Sequence, residues 1–332
     1  MTTVAVLGAG NWGTALADLL ARKGHTVRLW AFEPEVVDSI NARHQNPLYL
    51  AGHPLTPALT ATGDAPAAVR GAAIVVIAVP SHVFRPVLTG LAPAVAPGAL
   101  VVIATKGLEA GTMALLSSVA GEVLPRARIV ALSGPSFAEE VYARQPTAVV
   151  AASADAGAAR ETQDAFSTRE FRVYAHHDVV GVQLGGALKN VIAIAAGILE
   201  GLGLGHNTRA ALITRGLAEI ARLGQAMGAD PLTFAGLAGM GDLVLTTTGS
   251  LSRNRSLGLA VAEGKTLDEW RAGHRTVAEG AETSRVAVAL AARHGVDLPI
   301  CAQVQRILYE GQDARKAVAE LMDRSLKAEG WQ

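Results

Sequence analysis

One charged side chain stands inside a long apolar stretch, and its type suggests proton transfer. Lys189 is the only charged residue between Asp178 and Glu200, and its neighbours at helical spacing are mostly Leu, Val, Ile, Ala and Gly. A buried ammonium is unfavourable unless it loses its proton or gains a partner. Lysine can shift its pKa in this way, whereas arginine stays charged. The alternative is a structural lysine whose amine reaches the rim of a packed helix.

The same stretch approaches the roughly 20 residues that a membrane-spanning helix requires. A central Lys costs about 2.5–3.5 kcal/mol on membrane insertion scales. Polar residues and glycines also interrupt the stretch: Gln183, Asn190, Gly181, Gly185, Gly186 and Gly197. We therefore expect a buried helix of a soluble protein, without membrane insertion.

A glycine-rich segment near the N-terminus predicts a dinucleotide-binding loop. The sequence Gly8-Ala9-Gly10-Asn11-Trp12-Gly13 follows a short apolar run and opens a helical pattern. In such loops the first glycine permits a tight turn, the second allows a pyrophosphate to approach, and the third allows close helix packing. The N–H groups of the helix N-terminus then face the phosphates. A purely structural glycine turn is the alternative.

The first half of the chain alternates short apolar runs with helical patterns, which predicts a parallel sheet covered by helices. After Asp178 helical periodicity dominates. We therefore predict an α/β Rossmann-type dinucleotide-binding domain over residues 1–178 and an all-α domain over residues 179–332. The runs expected to form buried strands are 4–7, 27–30, 74–79, 100–103, 129–132 and 148–151.

The choice between NAD and NADP stays open on the sequence. An acid usually follows the second strand and binds the adenosine ribose. Ala31 stands near that position, Glu33 lies two residues further on, and no Arg follows directly to bind a 2′-phosphate.

Further polar residues follow the predicted strands or lie in the helical half. Lys106 follows one strand, and Ser133-Gly134-Pro135-Ser136 follows another, where ligands of α/β sheets bind. Asp242 and Thr246 are one helical turn apart. In Ser252-Arg253-Asn254-Arg255, an Arg fork suits phosphate oxygens. For Arg255 we expect a solvated surface position instead, and for Glu279 alone a surface position.

Composition excludes several functional classes. The chain has 332 residues, with 29 basic and 29 acidic side chains, so it offers no electrostatic case for binding nucleic acid. Its single cysteine, Cys301, excludes an intrachain disulfide framework. Since no metal-binding motif is found, we expect a metal-independent reaction. The first residues lack the features of a secretory signal, so we expect a cytoplasmic location.

Taken together, the motifs resemble those of the bacterial-type NAD(P)-dependent glycerol-3-phosphate dehydrogenases. They occur in the family's order along nearly the whole chain, and those of the helical half are the more specific. The similar segments are residues 8–17, 46–50, 79–82, 105–107, 133–138, 185–191, 214–217, 239–243 and 252–255, together with Asn207.

The resemblance implies reversible reduction of dihydroxyacetone phosphate to sn-glycerol 3-phosphate for glycerophospholipid synthesis, with NAD or NADP as cofactor. It implies that Lys189 is the proton acceptor, with Lys106 and Asp242 close to the substrate. The other residues implied to bind the substrate are Gly134, Ser136, Asn190, Thr246, Ser252, Arg253 and Asn254. Those implied to bind the cofactor are Gly8, Gly10, Asn11, Trp12, Gly13, Phe32, Lys106, Ala138, Arg253, Val277 and Glu279.

Two alternatives remain at this point. Other two-domain dehydrogenases, such as those of 3-hydroxy acids, also use a helical Lys–Asn pair, although the stretch around Arg253 favours glycerol phosphate. A dinucleotide-binding regulator without turnover would not need Lys189 or Asp242. The family often has a basic residue near Phe32, and its absence leaves the cofactor preference open. Oligomeric state (a homodimer is one option), feedback regulation and the favoured direction also stay open.

Overall fold

The computed structural model describes residues 1–326, whose contacts divide into two compact units. The N-terminal unit comprises Met1–Thr105 and Leu116–Val179. The helical unit comprises Lys106–Leu115 and the described residues from Val180 onward. The division expected between residues 178 and 179 stays a prediction, and nothing in the sequence indicated that residues 106–115 group with the helices.

The N-terminal unit is built on a sheet that has eight strands within the described residues. Their order is β3-β2-β1-β4-β5-β6-β7-β8, and every pairing is parallel except that of β6 with β7. The strands are β1 (Thr3–Leu7), β2 (Thr26–Trp30), β3 (Thr60–Thr62), β4 (Ile74–Ile77), β5 (Leu100–Ile103), β6 (Arg128–Ser133), β7 (Thr147–Ala152) and β8 (Phe171–His176).

Two strands of the sheet were not expected from the sequence, and both lie at its edges. The strand β3 has three residues, too few to form a recognisable apolar run. In β8, Phe171 and Val173 are buried while Arg172 and Tyr174 are exposed. This alternation marks an edge strand with one buried face, and a search for continuous apolar runs does not find it.

Helices cover the sheet, as the alternating pattern predicts. The valines and leucines of β1, β2 and β4–β6 form one core with the helices that pack on them. The α/β architecture expected for this half is thereby confirmed. The helices are α1 (Asn11–Arg22), α2 (Pro34–Arg43), α3 (Ala65–Val69), α4 (Phe84–Leu91), α5 (Leu116–Val123), α6 (Ala138–Tyr142) and α7 (Ala156–Phe166), with short 3₁₀ turns at Ser81–Val83 and Ala92–Ala94.

The second unit is helical, as predicted, and has its own core. Residues 106–115, a short segment that we call the excursion, also belong to this unit. Within it Leu108 and Leu115 form an isolated antiparallel β-bridge. The helices are α8 (Val179–Gly201), α9 (His206–Ala226), α10 (Asp242–Thr248), α11 (Arg253–Ala262), α12 (Leu267–Ala272), α13 (Glu279–Arg293), α14 (Pro299–Glu310) and α15 (Ala314–Met322), with a 3₁₀ turn at Pro231–Ala235 and a π-helical turn at Leu237–Gly241.

The long helix α8 is the centre of this core. It has 23 residues, and an 18-residue stretch of it has a mean hydropathy of 1.6, so within the described residues it is the one helix apolar enough to cross a membrane. However, every residue from 181 to 199 is buried inside the protein. Burial on all sides is typical of a core helix, and the buried helix that the sequence predicts for this stretch is present.

Helices α8 and α11 pack with their backbones in contact. A Cβ on Gly197 of α8 would lie 2.0 Å from the carbonyl oxygen of Arg255, and one on Gly258 would lie 2.1 Å from that of Ile194. Neither position can accept a side chain without separating the helices. The two glycines therefore fix the distance between α8, which carries Lys189, and α11.

A buried carboxylate makes the stability of the helical unit depend on pH. Glu219 of α9 accepts hydrogen bonds from the backbone N–H groups of Ile300 (2.7 Å) and Cys301 (3.3 Å) in the first turn of α14. Burial raises the pKa of Glu219 to about 7, although these N–H donors and Arg222 act in the opposite direction. Because its pKa is higher in the folded state, Glu219 stabilises the fold at low pH, and this contribution is lost as the pH rises through about 7.

We expect Glu219→Gln to weaken the pH dependence of unfolding. Between pH 5 and pH 8 the native protein should lose about 2–3 kcal/mol of stability through Glu219, from the shift of its pKa. The glutamine variant should not lose this amount, since it has no proton to release. Denaturant titrations at several pH values measure the difference. Glu310→Gln, on the exposed end of α14, is the control, and equal pH profiles of the native and Glu219→Gln proteins would contradict the prediction.

Candidate active site

A buried carboxylate in the helical unit lies between two lysine amines. Lys189 donates to Oδ1 of Asp242 at 2.5 Å, and Lys106 donates to Oδ2 at 2.8 Å. Lys189 also donates to the hydroxyl of Thr246 at 2.8 Å, one turn along α10 from Asp242. Asp242 is 0% exposed and Lys189 6% exposed. The sequence predicted each of these four residues, and the structure brings them together.

The backbone before Asp242 explains how a carboxylate reaches this position. The π-helical turn Leu237–Gly241 ends directly before Asp242. A Cβ on Gly185 of α8, one turn before Lys189, would lie 2.5 Å from the carbonyl oxygen of Ala238. The turn therefore rests on the backbone of α8. Because the same helix carries Lys189, this contact fixes the distance between the carboxylate and the amine.

The environment of Lys189 lowers the pKa of its amine to a value near neutral pH. Burial lowers the pKa of Lys189 from its ordinary value to about 7. Asp242 acts in the opposite direction, and the positive charge of Lys106 lowers the pKa further. At neutral pH such an amine can release a proton or accept one, which is the property of a general acid and base.

Lys106, Lys189, Asp242 and Thr246 form a group that we call the lysine cluster. A pair of side-chain amides adjoins it. Asn254 donates to the side-chain oxygen of Asn190 at 3.0 Å, and its own oxygen accepts from the N–H of Gly280 at 2.9 Å. The amide nitrogen of Asn190 points toward the carbonyl oxygens of Gly186 (3.4 Å) and Lys106 (3.5 Å). The beginnings of α11 and α13 and the middle of α8 thus meet at two amides.

The turn that opens α11 contains a helix-capping serine, an exposed arginine and a buried asparagine. Ser252 caps the helix, since its hydroxyl accepts from the N–H of Arg255 at 3.2 Å. The side chain of Arg253 is exposed, and that of Asn254 is buried in the amide pair. Arg253 therefore lies at the protein surface, one residue from the amides.

Arg255 does not lie on a solvated face, so that expectation is wrong. Its guanidinium donates to both carboxylate oxygens of Glu200, at 2.9 and 2.5 Å, and only 14% of its side chain is exposed. Arg209 of α9 donates to the same carboxylate at 3.0 Å. This bidentate pair is not evident from the sequence, because Glu200 lies 55 residues away. The pair joins the end of α8 to α11.

In the N-terminal unit the glycine loop has the geometry that a dinucleotide requires. Gly8 has φ +104°, and a Cβ there would lie 2.9 Å from the carbonyl oxygen of Ala78. A Cβ on Gly13 would lie 1.9 Å from the carbonyl oxygen of Gly8. At Gly10, by contrast, a Cβ would meet no atom of the described residues within 4 Å other than those of the glycine itself and the adjoining backbone. Packing thus explains two glycines, and the third leaves the open space that a pyrophosphate would fill. Asn11 and Trp12 begin α1 at the same place.

A buried asparagine that the sequence did not single out supports this loop. The amide nitrogen of Asn46 donates to the carbonyl oxygen of Ala9 at 2.8 Å and to the hydroxyl of Thr14 at 2.9 Å. Its oxygen accepts from the N–H groups of Leu48 and Tyr49. Apart from the resemblance over residues 46–50, the sequence offered no reason to give Asn46 a role, because the groups of the glycine loop and α1 to which it donates lie more than 30 residues away.

The remaining predicted residues lie at turns and helix starts. Gly134 follows β6 with φ +137°, and a Cβ there would lie 2.9 Å from the Cα of Val149, so packing against β7 requires glycine. The Ser136 hydroxyl donates to the carbonyl oxygen of Gly134 at 2.9 Å. Residues implied to bind the cofactor are placed as follows: Phe32 is 82% exposed after β2, Ala138 begins α6, Val277 is partly exposed, and Glu279 begins α13.

Among residues 1–326 no group of three or more His, Cys, Asp or Glu side chains has the arrangement of a metal site.

Two family models match successive parts of the chain. The model described as the N-terminus of NAD-dependent glycerol-3-phosphate dehydrogenase matches residues 3–159, and the model of the C-terminus matches residues 178–319.

Individual proteins are similar over their full length. Those named Glycerol-3-phosphate dehydrogenase (NAD(P)+) from Citrifermentans bemidjiense and Geobacter metallireducens are 55% identical over 330 residues and 56% identical over 329 residues, with 98% of each chain covered. The crystal structure of a glycerol-3-phosphate dehydrogenase from Coxiella burnetii matches with a TM-score of 0.94 and 43% identity, covering 97% of this chain and 99% of that one.

The bidentate pair of Arg255 and Glu200 should contribute measurably to stability. A hydrogen bond to a charged group contributes about 1.5–3 kcal/mol, and Arg209 retains part of the contact, so Arg255→Ala should cost about 1–2 kcal/mol of unfolding free energy. The control is Arg285→Ala, whose exposed pair with Glu282 spans 3.5 Å and should contribute well under 1 kcal/mol. Denaturant titration measures the unfolding free energy lost by each variant. Equal losses would contradict the prediction that the Arg255 pair contributes more to stability than the exposed pair.

Proposed function

The chain belongs to the NAD-dependent glycerol-3-phosphate dehydrogenase family, and on that premise we propose that it reversibly reduces dihydroxyacetone phosphate to sn-glycerol 3-phosphate. NADH or NADPH is the reductant, and the product serves glycerophospholipid synthesis. The observation that carries the proposal is the cluster of Lys106, Asp242 and Lys189, in which one carboxylate holds an amine whose pKa is about 7. The matches to both family models favour this substrate over a 3-hydroxy acid.

Lys189 is the group that moves the proton. Bound reduced nicotinamide would supply a hydride to the carbonyl carbon of the substrate, which would leave negative charge on the carbonyl oxygen. The ammonium of Lys189 donates a proton to that oxygen, and the neutral amine accepts it in the alcohol direction. Asp242 and Thr246 hold the amine in one orientation by the hydrogen bonds described above.

Lys106 has two effects in this proposal. As a second cation 2.8 Å from Asp242, it lowers the pKa of Lys189 and so keeps that amine able to exchange its proton. It is also a second donor for the developing alkoxide, and such electrostatic stabilisation is effective where water is excluded.

The substrate phosphate is recognised at the start of α11. Arg253 provides a charged fork suited to phosphate oxygens, with Ser252, Asn254 and Asn190 beside it. Gly134 and Ser136 complete the proposed substrate set. Binding energy from this remote phosphate orients the carbonyl for reaction.

The dinucleotide is held by the glycine loop, where Gly10 leaves space for the pyrophosphate and the N-terminus of α1 faces it. The further residues proposed to contact the cofactor are Asn11, Trp12, Gly13, Phe32, Lys106, Ala138, Arg253, Val277 and Glu279. We also expect a cytoplasmic protein, with a homodimer as one option for its assembly.

The first test of this function compares two ketones. Purified protein should oxidise reduced nicotinamide in the presence of dihydroxyacetone phosphate without added metal, as followed by nicotinamide absorbance. Unphosphorylated dihydroxyacetone should be much poorer, because it cannot use the site at Arg253. Equal rates with both ketones would argue against phosphate recognition.

Arg253→Ala should confirm where the phosphate binds. Losing one charge-assisted hydrogen bond of about 1.5–3 kcal/mol should reduce kcat/KM for the phosphorylated ketone at least tenfold. The unphosphorylated ketone should lose much less. Arg293→Ala, at an exposed position of α13, is the matched control, since Arg255 has a structural role. A similar loss with both ketones would assign Arg253 to another role.

Lys189→Ala should reduce kcat by about 10²–10⁴, the contribution of a positioned acid or base. Lys189→Arg should not restore the rate, because arginine keeps its proton. In the native protein the oxidation of glycerol phosphate should slow as the pH falls below about 7, where Lys189 becomes protonated. Dinucleotide binding, measured separately, should survive both substitutions. Near-normal turnover of the arginine variant would remove Lys189 from proton transfer.

A further inference from the structure

We propose that Glu33, held in place by the hydroxyl of Tyr49, accepts hydrogen bonds from the adenosine ribose and makes this enzyme prefer NADH to NADPH. This inference rests on the proposed function, since it specifies which dinucleotide the same site takes.

The position that usually carries the ribose-binding acid does not have one in this chain. Ala31 directly follows β2 and is fully buried. Its N–H donates to the carbonyl oxygen of Thr62 at the end of β3, so this residue serves the sheet edge. Glu33 comes twenty residues after Gly13, close to the usual spacing between the glycine loop and the ribose acid.

The side chain of Glu33 is oriented by a partner outside its own helix. Glu33 precedes the first residue of α2, and its backbone carbonyl accepts from Val36 and Val37, but its carboxylate forms no capping hydrogen bond. Instead Oε1 accepts from the hydroxyl of Tyr49 at 2.8 Å. The carboxylate is thus fixed at the end of β2 without contributing to α2.

One short segment connects this carboxylate to the phosphate-binding loop. Asn46 binds the carbonyl oxygen of Ala9 inside the glycine loop, and Tyr49, three residues later, binds Glu33. The N–H of Gly8 also donates to the carbonyl oxygen of Trp30, the last residue of β2. The loop for the pyrophosphate and the carboxylate for the ribose are therefore held to each other, as one adenosine diphosphate would require.

The charges around Glu33 disfavour a 2′-phosphate. Residues 31–40 contain three acids, Glu33, Glu35 and Asp38, and no base. The guanidinium of Arg28 is engaged by the carbonyl oxygens of Ala67 and Arg70. Arg43 lies ten residues along the chain at the far end of α2, about 15 Å away at the rise of an α-helix. A phosphate monoester carries a charge of about −1.5 to −2 at neutral pH, so Glu33 would repel it.

The exposed ring of Phe32 is consistent with the same ligand. Phe32 is 82% exposed, which is unusual for a large apolar side chain next to a buried strand end. An adenine ring that stacks on it would cover this surface and bring the attached ribose beside Glu33.

The test measures both dinucleotides with the full-length protein and three variants. Dissociation constants for NADH and NADPH come from the change in nicotinamide fluorescence, and kcat/KM is measured with each at saturating dihydroxyacetone phosphate. The variants are Glu33→Gln, which removes the charge at constant shape, Tyr49→Phe, which removes the hydroxyl, and Glu35→Gln, the matched control on an exposed first-turn carboxylate. Thermal unfolding shows whether each variant remains folded.

We expect the native protein to favour NADH at least tenfold, the effect of one charge-assisted hydrogen bond gained or lost. Glu33→Gln should weaken the binding of NADH and strengthen the binding of NADPH. The preference for NADH over NADPH should therefore fall at least tenfold. Tyr49→Phe should shift the ratio in the same direction by less, and Glu35→Gln, which removes a neighbouring charge but leaves the hydrogen bond between Tyr49 and Glu33, should shift it least.

Three results would overturn the proposal. Equal affinity of the native protein for both dinucleotides would remove the preference while leaving the proposed function intact. If Glu33→Gln weakened the binding of NADH and of NADPH by the same factor, the role of Glu33 would be purely structural. Binding of neither dinucleotide would reject the proposed function together with this inference.

Discussion

The arrangement of the lysine cluster depends on one buried carboxylate shared by two amines. Asp242 is fully buried and would be strongly destabilising without partners. Lys189 and Lys106 supply them, one on each oxygen. Burial lowers the pKa of the more deeply buried amine, Lys189, to about 7; Asp242 opposes this shift, and the positive charge of Lys106 adds to it. Burial together with a second cation on the same carboxylate thus brings the pKa of Lys189 near neutral pH.

Glycines let the backbone meet these electrostatic requirements. Gly185 lets the π-helical turn before Asp242 rest on α8, and the Gly197–Gly258 contact holds α11 against the same helix. Such contacts between backbones leave little freedom for the helices to slide. Helix packing therefore sets the distances within the lysine cluster and the amide pair. The ion pair of Glu200 with Arg255 strengthens the packing of α8 against α11.

The sequence predicted the features that are local and missed those that depend on distant partners. A single charge in an apolar helix indicated Lys189, and the spacing of Asp242 and Thr246 placed them on one helical face. The continuous apolar runs predicted the buried strands, whereas the alternating edge strand β8 was missed. Arg255 was assigned to the solvated surface because its partner Glu200 lies 55 residues away, and Asn46 was given no role for the same reason.

The excursion of residues 106–115 into the helical unit has a consequence for how the chain assembles and evolves. Lys106 and Asp242 are 136 residues apart, so their contact closes a very long loop and forms only after much of the chain has been made. A gene cut between the two sequence halves would separate Lys106 from its carboxylate. Exchange of whole halves between related genes therefore preserves this cluster only if the excursion and its helices remain compatible.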